Sequence, residues 1–146
     1  RVFDTGGFKS TKTDMTVDDL YAKFLEVFGV ARTHCVNMYG MTELSSQIYD
    51  QNLLSYYTDG SSNYLKATPS WVRSVFLDPA TLTPVADGEQ GVIAHYDLAN
   101  WNSCLAILTE DLGVRTDSGY ELNGRAKGAE ARGCSIAVDE VMAANA

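Results

Sequence analysis

Residues 37–43 combine side chains that could bind a nucleotide and its magnesium ion. They read Asn-Met-Tyr-Gly-Met-Thr-Glu and follow an apolar run. The ring of Tyr39 could stack on a base, and Gly40 would let a ligand approach the backbone closely. The Thr42 hydroxyl could bond a phosphate oxygen, while Glu43 offers a hard oxygen ligand to Mg²⁺. A turn glycine, a threonine N-cap and an exposed glutamate would explain the same residues structurally, so the residue types alone leave both interpretations open.

The residues before this segment have the periodicity of an amphipathic helix. Apolar side chains recur three and four positions apart between Thr16 and Gly29, which places them on one helical face. They are Val17, Leu20, Tyr21, Phe24, Val27 and Phe28. Thr16 is a candidate N-cap. Gly29 suits the end of the helix, because glycine readily adopts the left-handed conformation found there.

Two candidate strands, residues 1–5 and 33–38, flank this helix. A strand–helix–strand unit is typical of a right-handed crossover between parallel strands. Ligands of such sheets bind beyond the carboxyl ends of the strands, where Gly6-Gly7 and residues 39–43 would both lie. We therefore expect one ligand to contact both segments, with Gly6 and Gly7 admitting it close to the backbone. A simple strand-to-helix turn would also explain the glycine pair.

The second half of the chain has the pattern of short strands separated by turns. Candidate strands cover residues 72–77, 91–96 and 104–108, and a last one follows the turn Asp117-Ser118-Gly119. Residues 51–70 are rich in Tyr, Ser, Asn and Gly and are predicted to form a long loop, and residues 137–145 a short helix. The predicted fold class is α/β, with a parallel βαβ piece in residues 1–66 and a β-rich subdomain in residues 67–146.

Taken in order, these motifs resemble the adenylate-forming superfamily, which contains the acyl-CoA synthetases. Residues 39–43 match its Tyr-Gly-x-Thr-Glu motif, and residues 87–93 resemble its Gly-Glu-x-Gly turn and the strand that follows. Residues 108–113 resemble its Thr-Gly-Asp segment, with Glu110 where glycine is usual. Gly124-Arg125 resembles the pair that opens the family's hinge. The resemblance implies that the chain is a C-terminal portion of such an enzyme.

The resemblance also implies a role for each candidate site residue. Tyr39 would stack on adenine beside Gly40, Thr42 would bond the α-phosphate, and Glu43 would ligate Mg²⁺. Asp111 would accept hydrogen bonds from both ribose hydroxyls, a bidentate role that suits a carboxylate. Gly6 and Gly7 would face the adenine, and Arg125 would contact ribose or phosphate. A turn aspartate and a surface salt bridge are the structural alternatives for Asp111 and Arg125.

Residues 124–135 are most similar to the tail of the LuxE-type acyl-protein synthetases. Those enzymes activate a fatty acid with ATP and hold the acyl group on a cysteine near their C-terminus. We expect Cys134 to be this acyl carrier, because thiolate is the reactive nucleophile and Lys127 and Arg132 could lower its pKa. Without the resemblance, a small buried hydrophobic residue would be the favoured interpretation of Cys134. Lys127 is expected to mark the hinge.

Composition excludes some classes of function. A net charge of −8 over 146 residues argues against binding to a nucleic-acid backbone. No apolar run is long enough to span a bilayer, and no signal peptide is recognisable. Cys35 and Cys104 are assigned to the core, and the three cysteines form no evident pairs, which fits the reducing cytoplasm. His34 and His95 are assigned structural roles, because neither has an acid or nucleophile beside it.

The expected function is ATP- and Mg²⁺-dependent conversion of a fatty or other carboxylic acid into an acyl-adenylate. The acyl group would move to Cys134 and then to a protein partner such as an acyl-reductase or acyltransferase. A CoA ligase of the phenylacetate type and a non-catalytic nucleotide-binding module are the alternatives. The superfamily's phosphate-binding loop is not found in these 146 residues, so we expect the fragment to be inactive by itself.

Overall fold

The computed structural model describes residues 1–5 and 15–126, which form one mixed sheet of eight strands with helices beside it. The strands are β1 (Val2–Thr5), β2 (Cys35–Tyr39), β3 (Ile48–Asp50), β4 (Lys66–Ala67), β5 (Val72–Leu77), β6 (Gln90–Asp97), β7 (Ala106–Thr116) and β8 (Gly119–Arg125). The helices are α1 (Val17–Phe28), α2 (Asn52–Asp59) and the short 3-10 helices Arg32–His34 and Leu98–Asn100.

The strand order across the sheet is β1-β2-β3-β4-β8-β7-β6-β5. Strands β1 and β2 are parallel, with Val2 opposite Cys35 and Thr5 opposite Met38, and α1 lies between them in the chain. This confirms the predicted βαβ unit. The other neighbouring pairs are antiparallel. Strands β5 to β8 form the β-rich half that the turn pattern predicts.

Helix α1 begins and ends where its capping residues predict. The Thr16 side chain accepts a hydrogen bond from the Asp19 amide, and the Asp19 carboxylate accepts one from the Thr16 amide at 2.8 Å. Gly29 ends the helix with φ of 65°. Of the apolar stripe, only Tyr21 is buried, and its hydroxyl donates to Asp4 of β1 at 3.2 Å. Half of the stripe, namely Val17, Val27 and Phe28, is exposed in the described part of the chain.

The buried core is formed by side chains of β3, β5, β6 and β8 together with Leu44, which precedes β3. Its members are Leu44, Ile48, Val72, Phe76, Ile93 and Tyr120. Gly113 of β7 lets these strands approach, because a Cβ there would lie 2.6 Å from the Glu121 carbonyl oxygen and 3.0 Å from Phe76. Burial of these apolar side chains is the main force that holds the β-rich half together.

Two local predictions are wrong, and one predicted strand starts two residues later than expected. Residues 51–70 are not one long loop, because the buried Asn52 side chain donates to the Arg32 and Cys35 carbonyls and anchors α2 beneath the start of β2. Strand β2 begins at Cys35, since residues 32–34 form a 3-10 turn. Cys104 is exposed and precedes β7, which begins at Ala106, so it is not a core residue.

Cys35 is buried as predicted. The division at residues 66 and 67 stays a prediction, and it falls inside β4, where Lys66 is opposite Tyr120 of β8. The predicted helix at residues 137–145 lies outside the described residues.

Candidate functional site

Two side chains that are far apart in the sequence meet at the centre of the candidate site. The Tyr39 hydroxyl, at the end of β2, donates to Asp111 Oδ2 at 2.7 Å across a separation of 72 positions. Strands β3, β4 and β8 lie between β2 and β7 in the sheet. In a flat sheet that spacing would be roughly 19 Å, at about 4.8 Å per strand. The sheet must therefore curve strongly to bring Tyr39 and Asp111 together.

Arg125 lies beside the same carboxylate. Asp111 and Arg125 are opposite each other in the β7–β8 hairpin, and Arg125 Nε lies 3.5 Å from Asp111 Oδ1. The other end of the guanidinium donates to Glu110 Oε2 at 2.6 Å. Glu110, which departs from the glycine of the superfamily motif, thus supplies a second carboxylate to Arg125. Three predicted nucleotide-binding residues are therefore in contact: Tyr39 and Arg125 both lie beside the Asp111 carboxylate.

His95, for which a structural role is expected, also contacts this group. His95 of β6 is fully buried, with Nε2 3.4 Å from the Tyr39 hydroxyl and Nδ1 2.9 Å from the Ser74 hydroxyl of β5. Burial lowers the pKa of His95 to about 4, although Asp111 and Asp97 act to raise it. Burial and the Asp111 carboxylate raise the pKa of Tyr39 well above its usual value.

The partners of His95, Ser74 and Tyr39, cannot be found from sequence spacing, because they come from different strands. The available signal is the alternation of β6, which places His95 on the same face as Ile93 and Asp97. All three are buried, so a histidine on this face needs partners for its ring nitrogens.

Thr42 and Glu43 lie in an exposed turn directly after Tyr39 and Gly40. Among the described residues no helix begins at Thr42, so this threonine is not the N-cap of the structural alternative. The turn is held from below by Asn100, whose side-chain amide donates to the Glu43 carbonyl at 2.6 Å. Both side chains are thus exposed on an anchored backbone, where they can reach a ligand.

Asp97 anchors the next residues of this segment. Its carboxylate accepts from the Ser46 amide and the Ser46 hydroxyl, each at 2.9 Å, and from the Ala99 amide at 2.9 Å. Asp97 is fully buried at the end of β6. The position of the turn after Tyr39 therefore depends on the same strand that carries His95.

Glu43 is the residue that the resemblance assigns to Mg²⁺. Residues 1–5 and 15–126 contain no group of three or more His, Cys, Asp or Glu side chains that could hold a metal ion. Glu43 offers one exposed carboxylate. Magnesium commonly binds through one or two carboxylates, with phosphate oxygens and water as its other ligands, so Glu43 fits that arrangement.

Four of the predicted site residues cannot be placed. Gly6, Gly7, Lys127 and Cys134 lie outside the described residues. No helix in the described part of the chain is long and apolar enough to cross a membrane.

The fold is that of the adenylate-forming enzymes. A crystal structure of MatB from Rhodopseudomonas palustris superposes with a TM-score of 0.57 at 19% identity, over 86% of this chain and 25% of MatB. The luciferase-like enzyme of the nonluminescent mealworm Zophobas morio gives a TM-score of 0.52 at 18% identity, over 88% of this chain and 31% of that enzyme. At these identities the similarity establishes the fold alone.

Sequence similarity then defines the family. Residues 1–143 match the LuxE acyl-protein synthetase family, and the chain belongs to that family. A long-chain-fatty-acid–luciferin-component ligase of Aliivibrio fischeri is 26% identical over 155 aligned positions. That alignment covers 96% of this chain and 37% of the ligase, so the chain spans just over a third of that relative's length.

Proposed function

We propose that this chain supplies the nucleotide-binding and acyl-carrying part of an acyl-activating ligase. The reaction would use ATP and Mg²⁺ to convert a fatty or other carboxylic acid into an acyl-adenylate, and then move the acyl group to Cys134. Family membership supports the acyl-protein synthetase class. The observation that carries the site assignment is the 2.7 Å hydrogen bond from Tyr39 to Asp111, which brings the two motif segments together.

Asp111 has the capacity to bind a ribose. An ionised carboxylate can accept about four hydrogen bonds, and the Tyr39 hydroxyl uses only one of those positions. The remaining positions on Oδ1 and Oδ2 can accept from two ribose hydroxyls. Arg125 Nε lies 3.5 Å from Oδ1, so the guanidinium stands beside the oxygen that is not bonded to Tyr39.

Thr42 and Glu43 would act on the phosphate side of the nucleotide. The Thr42 hydroxyl would donate to an α-phosphate oxygen, and Glu43 would hold Mg²⁺ against the phosphates. The metal neutralises charge that develops on phosphate oxygens when the leaving group departs. The anchoring of this turn by Asn100 supports the assignment, because a fixed backbone positions both side chains before a ligand binds.

Two displacements would complete the reaction. A carboxylate oxygen of the acid attacks the α-phosphorus of ATP, and pyrophosphate leaves with the electron pair of the broken P–O bond. The Cys134 thiolate then attacks the acyl carbonyl, AMP leaves, and a thioester remains on the protein. An acyl-reductase or acyltransferase would take the acyl group from Cys134. The cytoplasmic location of this reaction stays a prediction.

The test uses the full-length protein with radiolabelled fatty acid and ATP. We expect label on the protein that hydroxylamine removes, and loss of that label in Cys134→Ser. Cys104→Ser is the matched control, because Cys104 is exposed and distant in sequence from the proposed carrier. Retained protein label in Cys134→Ser would exclude that cysteine as the carrier.

The alternatives give different products in the same experiment. Label on CoA and none on protein would establish a CoA ligase of the phenylacetate type. ATP binding without pyrophosphate release would establish a non-catalytic nucleotide-binding module. We also expect Asp111→Ala to reduce acid-dependent exchange of pyrophosphate into ATP by at least a hundredfold, because the ribose would lose both hydrogen bonds to the carboxylate.

A further inference from the structure

His95 and Ser74 form a buried hydrogen-bonded chain with the two central residues of the candidate site. The chain runs from Ser74 of β5 through His95 of β6 and Tyr39 of β2 to Asp111 of β7. The distances along it are 2.9 Å, 3.4 Å and 2.7 Å. His95 is fully buried, and its ring is tilted by 45° against the Tyr39 ring at a centroid distance of 5.6 Å.

The direction of every hydrogen bond in this chain follows from the number of available hydrogens. The Tyr39 hydroxyl has one hydrogen, and its short contact with the acceptor Asp111 uses it. His95 must therefore donate from Nε2 to the Tyr39 oxygen. A neutral imidazole has only one N–H, so Nδ1 is the acceptor and the Ser74 hydroxyl is its donor.

This arrangement constrains Tyr39 from two sides. A phenol oxygen that accepts from His95 while donating to Asp111 has a restricted ring position and a restricted hydroxyl rotation. The Tyr39 hydroxyl in turn occupies Oδ2 of Asp111, so Oδ1 is the oxygen that faces Arg125. His95 touches neither of the atoms that would bind a ribose, and its effect on the carboxylate passes through Tyr39.

We propose that His95, held as the Nε2–H tautomer by Ser74, is a positioning residue that orients Asp111 for the nucleotide ribose through the Tyr39 hydroxyl. This inference rests on the proposed function. Spacing along the sequence indicates no more than a structural role for His95. The proposal gives this histidine a specific role and makes the nucleotide affinity of the site depend on a buried side chain.

A double-mutant cycle on the full-length protein tests this role, with ATP affinity measured by titration calorimetry. We expect His95→Leu and Tyr39→Phe each to raise the Kd for ATP about tenfold. That is the effect of losing one hydrogen bond that positions the Asp111 carboxylate. The double variant should bind no worse than either single variant, because both act through the same hydroxyl. Equal effects of His95→Leu in both backgrounds would overturn the inference.

Two further variants separate positioning from core packing. In His95→Gln the amide nitrogen reaches approximately the position of Nε2 and can still donate to Tyr39, so we expect its Kd to lie within about threefold of wild type. His34→Gln is the matched control, because His34 packs on Tyr56 and lies in a different part of the fold, and it should leave the Kd unchanged. A His95→Gln variant as weak as His95→Leu would contradict the donor role.

The tautomer of His95 provides a readout that needs no nucleotide. Nitrogen-15 spectra of the wild-type protein should show His95 as the Nε2–H form, assigned by loss of the signals in His95→Gln. In Tyr39→Phe the ring should change toward the Nδ1–H form, since Ser74 can then accept. An Nδ1–H form in the wild type would overturn the inference. A wild type that binds no ATP would overturn the proposed function as well, whereas ATP binding with an additive cycle would overturn the inference alone.

Discussion

Tyr39 and Asp111 are partly buried polar side chains, and each is the hydrogen-bond partner of the other. A buried hydroxyl or carboxylate without a partner costs about 1–3 kcal/mol. Here the Tyr39 hydroxyl and Asp111 Oδ2 lie 2.7 Å apart, and Arg125 lies beside the other carboxylate oxygen. The contact therefore contributes to stability as well as to the geometry of the candidate site.

His95 should make the stability of the protein depend on pH in the mildly acidic range. Its folded-state pKa of about 4 lies below the ordinary value near 6.5, so the unfolded chain takes up a proton first as pH falls. Stability from this residue is complete above about pH 6.5 and is lost as pH falls toward 4. Between pH 7 and pH 5 we expect a loss of about 2 kcal/mol in the free energy of unfolding from His95.

The measurement is urea unfolding of the wild type and His95→Gln at both pH values. Glutamine does not titrate, so the difference in the free energy of unfolding between the two proteins should be about 2 kcal/mol smaller at pH 5 than at pH 7. If the free energy of unfolding changed equally with pH in the two proteins, His95 would have the same pKa in the folded and unfolded states.

At the scale of elements, the end of β6 determines where the turn after Tyr39 lies. Asp97 binds the backbone and hydroxyl of Ser46, and Asn100 binds the carbonyl of Glu43. The Trp71 indole also donates to the Ser46 hydroxyl at 2.9 Å. The exposed turn is consequently attached to the buried part of the sheet by side chains that come much later in the sequence.

Asp97→Asn should loosen this attachment. The amide would place a donor where the carboxylate now accepts three hydrogen bonds, which leaves at least one buried donor unpaired. We expect the free energy of unfolding to fall by about 2 kcal/mol, measured by urea unfolding with tryptophan fluorescence. Asp117→Asn in the exposed β7–β8 turn is the control and should change stability by less than about 0.5 kcal/mol. Equal effects of the two variants would contradict the anchoring role of Asp97.

At the scale of the whole molecule, the two halves of the sheet are joined through the two-residue strand β4. Lys66 is opposite Tyr120 of β8, and its buried ammonium group donates to the Asn37 carbonyl of β2 at 2.8 Å. Gly119 of β8 packs closely against β4, because a Cβ there would lie 2.6 Å from the Lys66 carbonyl oxygen. The candidate site needs both halves, since Tyr39 and Asp111 come from opposite sides of the junction.

Gly119→Ala should therefore destabilise the molecule more than an ordinary glycine replacement. Gly88 is the matched control, because it also has a positive φ, 86°, but a Cβ there would meet nothing within 4 Å. We expect Gly88→Ala to cost about 1 kcal/mol and Gly119→Ala about 3 kcal/mol in the free energy of unfolding, measured by urea titration. Similar costs for the two variants would show that β4 and β8 can separate without penalty.

The parts of the fold that depend on local chemistry were predictable. The capping residues Thr16 and Gly29 predict both ends of α1, and the strand–turn pattern predicts β5 to its exact bounds, Val72–Leu77. The prediction failed where a distant contact overrides local composition. Asn52 anchors α2 to the backbone carbonyls of Arg32 and of Cys35, the first residue of β2, and nothing within residues 51–70 reveals those acceptors.

The sequence by itself determined the family motifs, the βαβ unit and the residue types at the candidate site. Those properties are set by neighbours along the chain, through capping, alternation and turn chemistry. Only the tertiary structure decided which of these residues meet: the curvature of the sheet joins Tyr39 to Asp111, and the packing of β5 and β6 adds Ser74 and His95. Hydrogen bonds between strands that are not neighbours depend on the summed twist and curvature of the strands between them, and no local pattern encodes that sum.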